Sequence, residues 1–438
     1  MARLKRLHFQ RVPINVSPNL GPVLQLPALT MRILGRYWPQ LMALWVAGII
    51  GNLLLNELAA LIGRLNTLAG LSSLSLVVLL KLVVIVGMFQ IVRPALPALD
   101  AAAQAAANQP VPTATETSTP GGFASVLTLT LVPFFAFYAA WGFLSDTVRD
   151  YSKLVLDLMM AGESGNLLQV SGGTWLFVSV AVAWVVRRFA KFMHRRSKAA
   201  VWPLVIVICE ANWAFIALFV VSNWEGEIRA WIGEMAARIG MFLGFLDPVR
   251  EAVAGTIFPP PPEAATPPLS KRLNSLFLYG LYPVVWMTLA AVVYGYDIAN
   301  AMPLGEGRVA RAVSRWQAMP KAVRDFVSHF IAGTIKRYRA LAEGVGLTLR
   351  SGLGLLLTTI VLFRLLDWGS AWAWYGITQL VGPHEFRLWQ IIAQGISLFL
   401  GSPSAPGDGV LVMPIKICLL AAALEIGFAQ GRAWHGRR

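Results

Sequence analysis

Lys81, Glu210, Glu57, Lys416, Arg364 and Glu425 lie inside stretches of about twenty otherwise apolar residues. An ionisable group in hydrocarbon costs roughly 2.5–3.5 kcal/mol even on the lenient insertion scales, so each needs a partner or a function. Counted from the ends of their apolar runs, Lys81 and Glu210 sit near the middle. Glu57 and Lys416 sit about six residues, or ~9 Å, from the same end of theirs. Arg364 falls near that second level, and Glu425 lies in the opposite third. Asn52, Asn56 and Asn212 add polar groups beside the two acids.

Two kinds of chemistry fit such a set. Fixed ion pairs, Lys81 with Glu210 and Glu57 with Lys416, would dictate which helices touch, although a buried pair seldom outperforms an apolar one of equal volume. Alternatively, hydrated charges along a path would bind or conduct a solute, ion or lipid. Lys81 is too deep to snorkel to the surface, so it faces the interior under either reading.

Enzymatic chemistry finds less material. The sequence has no phosphate-cradling glycine loop and no H-E-x-x-H zinc motif. His8, His194, His329, His384 and His435 all lie outside the apolar runs. Asp146, Asp150, Asp367 and His384 could serve a membrane transferase, and solvated surface positions explain them equally well. Cys209 and Cys418 fall within apolar runs and read as small hydrophobes, with neither disulfide nor zinc spacing. No cofactor is expected.

The elements that hold these residues follow from composition. The chain of 438 residues is 56% hydrophobic and 13% charged, against about a quarter charged in soluble domains. A hydrocarbon core of roughly 30 Å requires about 20 apolar residues of helix. Eight runs qualify: 41–63, 71–92, 123–144, 167–186, 201–222, 273–296, 349–366 and 410–429. The expected fold is all-α, a polytopic helical membrane protein of about eight transmembrane helices in four out-and-back hairpins. Interfacial amphipathic helices are expected on the outer face.

Charge gives the orientation. With the N-terminus inside, the inner segments carry 24 Lys/Arg and 6 Asp/Glu, and the outer ones carry 9 and 13. That is the positive-inside asymmetry. It predicts both termini in the cytoplasm, where anionic lipid would attract the basic segments, and the Ala/Gly/Val-rich composition points to a bacterial-type inner membrane. The net charge of +15 therefore speaks of lipid and not of nucleic acid. The start "MARLKRLHFQRVPINVSPNLG" has no apolar stretch behind its basic residues, so no cleaved signal is expected.

The domain organisation follows. A basic arm (1–40) precedes hairpin 1 (41–92), and an Ala/Pro/Thr-rich linker (93–122) leads to hairpin 2 (123–186) with its outer amphipathic segment. A basic loop (187–200) precedes hairpin 3 (201–296), which holds an outer amphipathic helix after Trp224 and the spacer "FPPPPEAATPP" (258–268). A basic amphipathic segment (297–348) leads to hairpin 4 (349–429), whose outer part is Trp-rich, and a basic tail (430–438) closes the chain. Outer segments opening at Trp141, Trp224 and Trp368 look alike, which leaves internal repetition and chance resemblance of apolar sequence both open. Pro133, Pro283 and Pro414 each remove a backbone hydrogen bond inside a run. Glycines in "GIIGNLLLN" and "SGLGLLL" permit close helix contact.

The expected function is transport or translocation of a solute, ion or lipid, alone or as the membrane subunit of an envelope complex. The competing class is a non-conducting scaffold that gathers protein partners, or further copies of itself, through its outer helices. An intramembrane enzyme is the weakest of the three.

Overall fold

The computed structural model describes residues 22–101, 123–140, 143–158, 173–197, 201–223, 269–299, 353–402, 405–406 and 408–435. Its helices are α1 (Pro22–Leu65), α2 (Thr67–Val92), α3 (Phe123–Ala140), α4 (Phe143–Leu158), α5 (Gly173–Ser197), α6 (Val201–Asn223), α7 (Leu269–Ala299), α8 (Leu353–Val381), α9 (Phe386–Leu400) and α10 (Val412–His435). A 3₁₀ turn (Arg93–Ala95) follows α2. A two-stranded antiparallel hairpin, β1 (Gly401–Ser402) and β2 (Ala405–Pro406), separates α9 from α10. Helix covers the described part of each of the eight apolar runs apart from Val410 and Leu411. Among the described residues, five helices (α1, α2, α6, α8 and α10) are long and apolar enough to cross a membrane. The outer helix after Trp224, the Pro-rich spacer and the basic segment 308–345 lie outside the described residues.

The centre of the bundle is α10. From Val412 to Ile426 its side chains are buried apart from half-buried Ile415. A helix that is apolar on every side has no solvent face to offer and must be surrounded. It contacts α1, α2, α7 and α8.

Helices α1 and α2 form an antiparallel pair whose register is set by small residues. A Cβ at Gly87 would meet Leu44, one at Gly48 would lie 2.7 Å from Val84 Cγ2, and one at Gly51 would lie 2.8 Å from Leu80 Cδ2. Near the turn the backbones themselves approach, since a Cβ at Gly70 would sit 2.5 Å from Gly63 Cα. Small residues allow this approach, as expected of "GIIGNLLLN". By contrast, Gly354 of "SGLGLLL" has open space around it.

The amphipathic α4 closes over that turn. Thr147, Tyr151 and Val155 form its buried stripe, spaced four residues apart, and the Tyr151 hydroxyl lies against Gly63 and Gly70. Its outward face carries the Asp146–Arg149 and Asp150–Lys153 pairs, both 3.7 Å apart. These are exposed pairs of small energetic weight.

The structure differs from the sequence reading at several boundaries. Residues 22–40, assigned to a cytoplasmic arm, are helical and continuous with the first apolar run. Leu26, Leu29 and Ile33 are buried there at helical spacing. The Trp-rich stretch after residue 366 is not a separate interfacial segment but the second half of α8. Nothing breaks that helix before Gly382 (φ 72°) and Pro383, a left-handed glycine and a proline that end helices well. Trp368, Trp372 and Tyr375 therefore form one exposed ladder of rings 5.8 and 5.9 Å apart. The linker begins later than expected, because residues 97–101 are helical.

The glycine contacts yield a stability prediction. Gly70→Ala should destabilise the detergent-solubilised protein by about 1–3 kcal/mol, because backbone cannot move aside as a side chain can. Gly35→Ala, in open space, should raise stability by up to about 1 kcal/mol through helix propensity. Thermal unfolding of the two variants measures the contrast.

Candidate functional site

Among the described residues, three charged side chains cluster where α7, α8 and α10 meet. Asp367, 6% exposed, is held between two cations. Lys416 Nζ stands 2.5 Å from its Oδ1, and Arg364 Nη1 donates to its Oδ2 at 3.0 Å. Lys416 comes from the central helix and is 2% exposed. Arg364 and Asp367 share α8 at a spacing of three, which puts both on one helical face.

Pro283 explains the rest of the arginine. In an uninterrupted α7 the carbonyl of Tyr279 would accept from the N–H four residues on, and that residue is proline. Arg364 supplies the missing donors: Nε and Nη2 reach the Tyr279 carbonyl at 2.8 and 2.5 Å. The guanidinium also lies over the Tyr279 ring, 3.6 Å from its centroid, and 4.7 Å from that of Tyr282. A planar, weakly hydrated fork can do all of this at once, whereas an ammonium could not.

Lys416 also lies 4.9 Å from the centroid of Phe363. A cleft lined by Tyr282, Trp286, Phe363, Asp408, Met413 and Lys416 runs beside the triad, too narrow for a solute. Asp408 is exposed and precedes α10. Its backbone carbonyl accepts from Trp45 Nε1 at 3.2 Å, which ties this loop to α1.

Glu425 is the second charge of α10, nine residues beyond Lys416. Nine residues turn a helix by about 900°, so the two point to opposite sides. The Glu425 carboxylate, 4% exposed, accepts from the backbone N–H groups of Ala98 (2.6 Å) and Leu99 (3.1 Å). Those are among the first N–H groups of the helical turn that opens at Pro97, which have no partners within their own helix. A residue more than 300 positions away thus does the work of an N-cap. Nearby, the Tyr294 hydroxyl donates to the Phe89 carbonyl at 2.8 Å, satisfying one of the last four carbonyls of α2.

The expected pairs are replaced by others. Lys81 does not meet Glu210; its ammonium donates to the Tyr138 hydroxyl of α3 at 2.7 Å. Glu210 accepts from Arg187 Nη2 of α5 at 2.6 Å. Arg187 had been assigned to the basic loop. Equal depth in the membrane brought Lys81 and Glu210 together on paper, but the lateral neighbours of each decide the partner. Glu57 does not meet Lys416. It is exposed and makes no ion pair among the described residues. Asn56 donates to Asn52 at 2.6 Å within α1, while Asn56 Oδ1 and Asn212 Oδ1 are buried without a hydrogen-bond partner.

Asp367, Tyr138 and Arg187 were the side-chain partners that sequence reasoning missed. Asp367 stands one residue past the seventh run, and its spacing of three from Arg364 was the usable signal. The proline four residues after Tyr279 was another. No group of His, Cys, Asp and Glu among the described residues could hold a metal ion. No protein-family model, curated protein or solved structure matches the chain.

The triad predicts a non-additive mutant cycle. Asp367→Asn alone should cost about 3–5 kcal/mol, because it strands the buried Lys416, and Lys416→Met should cost less, because Arg364 still holds the carboxylate. The double change should cost less than the sum of the two. Unfolding of the four proteins in detergent measures the coupling, and strict additivity would show that the pair contributes nothing as a pair.

Proposed function

We propose that the chain is a membrane-embedded scaffold, an assembly subunit that holds partners and conducts nothing. The observation that carries this reading is the use made of the buried charges. Lys81 joins α2 to α3, Arg187 joins α5 to Glu210 of α6, Arg364 joins α8 to α7, and Lys416 joins α10 to α8. Glu425 joins α10 to the chain just after α2. Each is matched to a fixed partner on another element, so each locks a helix contact. A solute path instead needs charges that water or substrate can reach in some state.

The arrangement proposed is eight spans in four hairpins, with both termini cytoplasmic and the membrane that of a bacterial cell. The charge asymmetry supports that orientation. Cysteines placed at Ser197 should be protected from an impermeant thiol reagent in whole cells, and ones at Ser145 should react. Labelling at Ser197 would reverse the orientation.

Transport remains as a second reading because exposed Asp408 lines the same cleft as Lys416. A small outward movement of that loop would connect the triad to water. Ile417 lines the cleft and Ala211 adjoins Glu210, and both are buried. In a Cys209→Ser, Cys418→Ser background, cysteines at these positions should resist small water-soluble thiol reagents. Rapid modification of Ile417→Cys, slowed by any transported solute, would defeat the scaffold reading in favour of transport.

A further inference from the structure

The helix α9 presents three distinct faces. Trp389, Ile392, Ile396 and Leu400 form a buried or half-buried face turned towards the protein. Leu388 (46% exposed), Ile391 (67%), Leu398 (42%) and Phe399 (51%) form an exposed apolar stripe. Arg387, Gln390 and Gln394, all exposed, form a polar stripe beside it. At 100° per residue the two exposed stripes are centred about 100° apart and adjoin at Arg387 and Leu398. Phe386 (73% exposed) stands at the start of the helix on the other side of the polar stripe.

A helix standing across the bilayer would turn Arg387, Gln390 and Gln394 into hydrocarbon, where an arginine alone costs roughly 2.5–3.5 kcal/mol. A helix in water would leave the apolar stripe bare. A helix lying in the headgroup region satisfies both stripes. With fifteen residues, or roughly 22 Å, α9 is also too short to span the core.

We propose that α9 is an in-plane helix seated at the headgroup–acyl boundary of one phospholipid leaflet, where it sets the depth of the triad. The link to the triad is covalent and hydrogen-bonded. Val410 N–H donates to the Leu398 carbonyl at 2.9 Å, and Leu411 N–H donates to the Phe399 carbonyl at 3.1 Å. The space at Gly409 is filled by the Phe399 carbonyl, so even a Cβ there would collide. The last turn of α9 and the first of α10 are thereby one rigid corner. Lys416 is five residues beyond Leu411, roughly 7–8 Å deeper along α10. Asp367 and Lys416 thus lie about halfway between the headgroup boundary and the midplane of a core roughly 30 Å thick. This holds whether the chain is a scaffold or a transporter.

The test uses the full chain in phosphatidylcholine liposomes. Single cysteines at Gln390, Gln394, Ile391 and Leu398 carry a nitroxide, in the Cys209→Ser, Cys418→Ser background. Because both native cysteines are buried, the wild-type background serves as the second set. Collision rates with oxygen and with a water-soluble nickel chelate are then compared. Gln390 and Gln394 should favour nickel several-fold over Ile391 and Leu398, which should favour oxygen. All four favouring oxygen would mean that α9 is immersed in hydrocarbon. All four favouring nickel would mean that it stands in water. Shielding of Ile391 and Leu398 from both reagents would mean that a protein partner or a second copy covers the stripe. Any of these three results overturns the proposal.

Discussion

The constraint on which the bundle depends is a central helix whose buried stretch, residues 412–426, nevertheless carries two charges. Apolar packing can surround α10 but gives it little rotational preference, since one apolar side of a helix resembles another. Lys416 and Glu425 remove that freedom. They point in opposite directions, and each finds a partner that only one arrangement supplies: a carboxylate already held by Arg364, and the free N–H groups of a helix start. Rotation of α10 by one residue would strand both. The energetic gain over an apolar pair is small, so the charges act through specificity of arrangement.

A similar logic governs the backbone. In hydrocarbon an unpaired carbonyl has no water to turn to. The proline in α7 leaves one such carbonyl, and the guanidinium of Arg364 fills the place. The end of α2 leaves others, and Tyr294 takes one of them. The start of the turn at Pro97 leaves N–H groups, and Glu425 takes two. Arg364 and Glu425 thus repair interruptions of the main chain, whereas Lys81 and Glu210 meet side chains of neighbouring helices.

Parts of this were legible in the sequence. Apolar length identified helices long enough to cross a membrane, and the glycines of "GIIGNLLLN" marked a close helix contact without naming its partner, because both depend on local spacing alone. The segment at 143–158 read as a helix for the same reason. Its docking against the α1–α2 turn did not, since Gly63 and Gly70 receive Tyr151 from a distant part of the chain. Breaks were judged too freely: aromatic composition suggested a new segment at Trp368, whereas the backbone contains no helix breaker before Gly382.

Sequence alone determined which groups would need partners. A lysine amid apolar residues, or a proline within a helix, creates an unmet requirement wherever the helix is placed. Only the tertiary structure decided who meets it. Depth along a helix can be counted from its ends, but the lateral order of helices cannot, and hydrogen bonds act over about 3 Å. Lys81 and Glu210 share a depth and still belong to different contacts, because α3 presents Tyr138 to one and α5 presents Arg187 to the other.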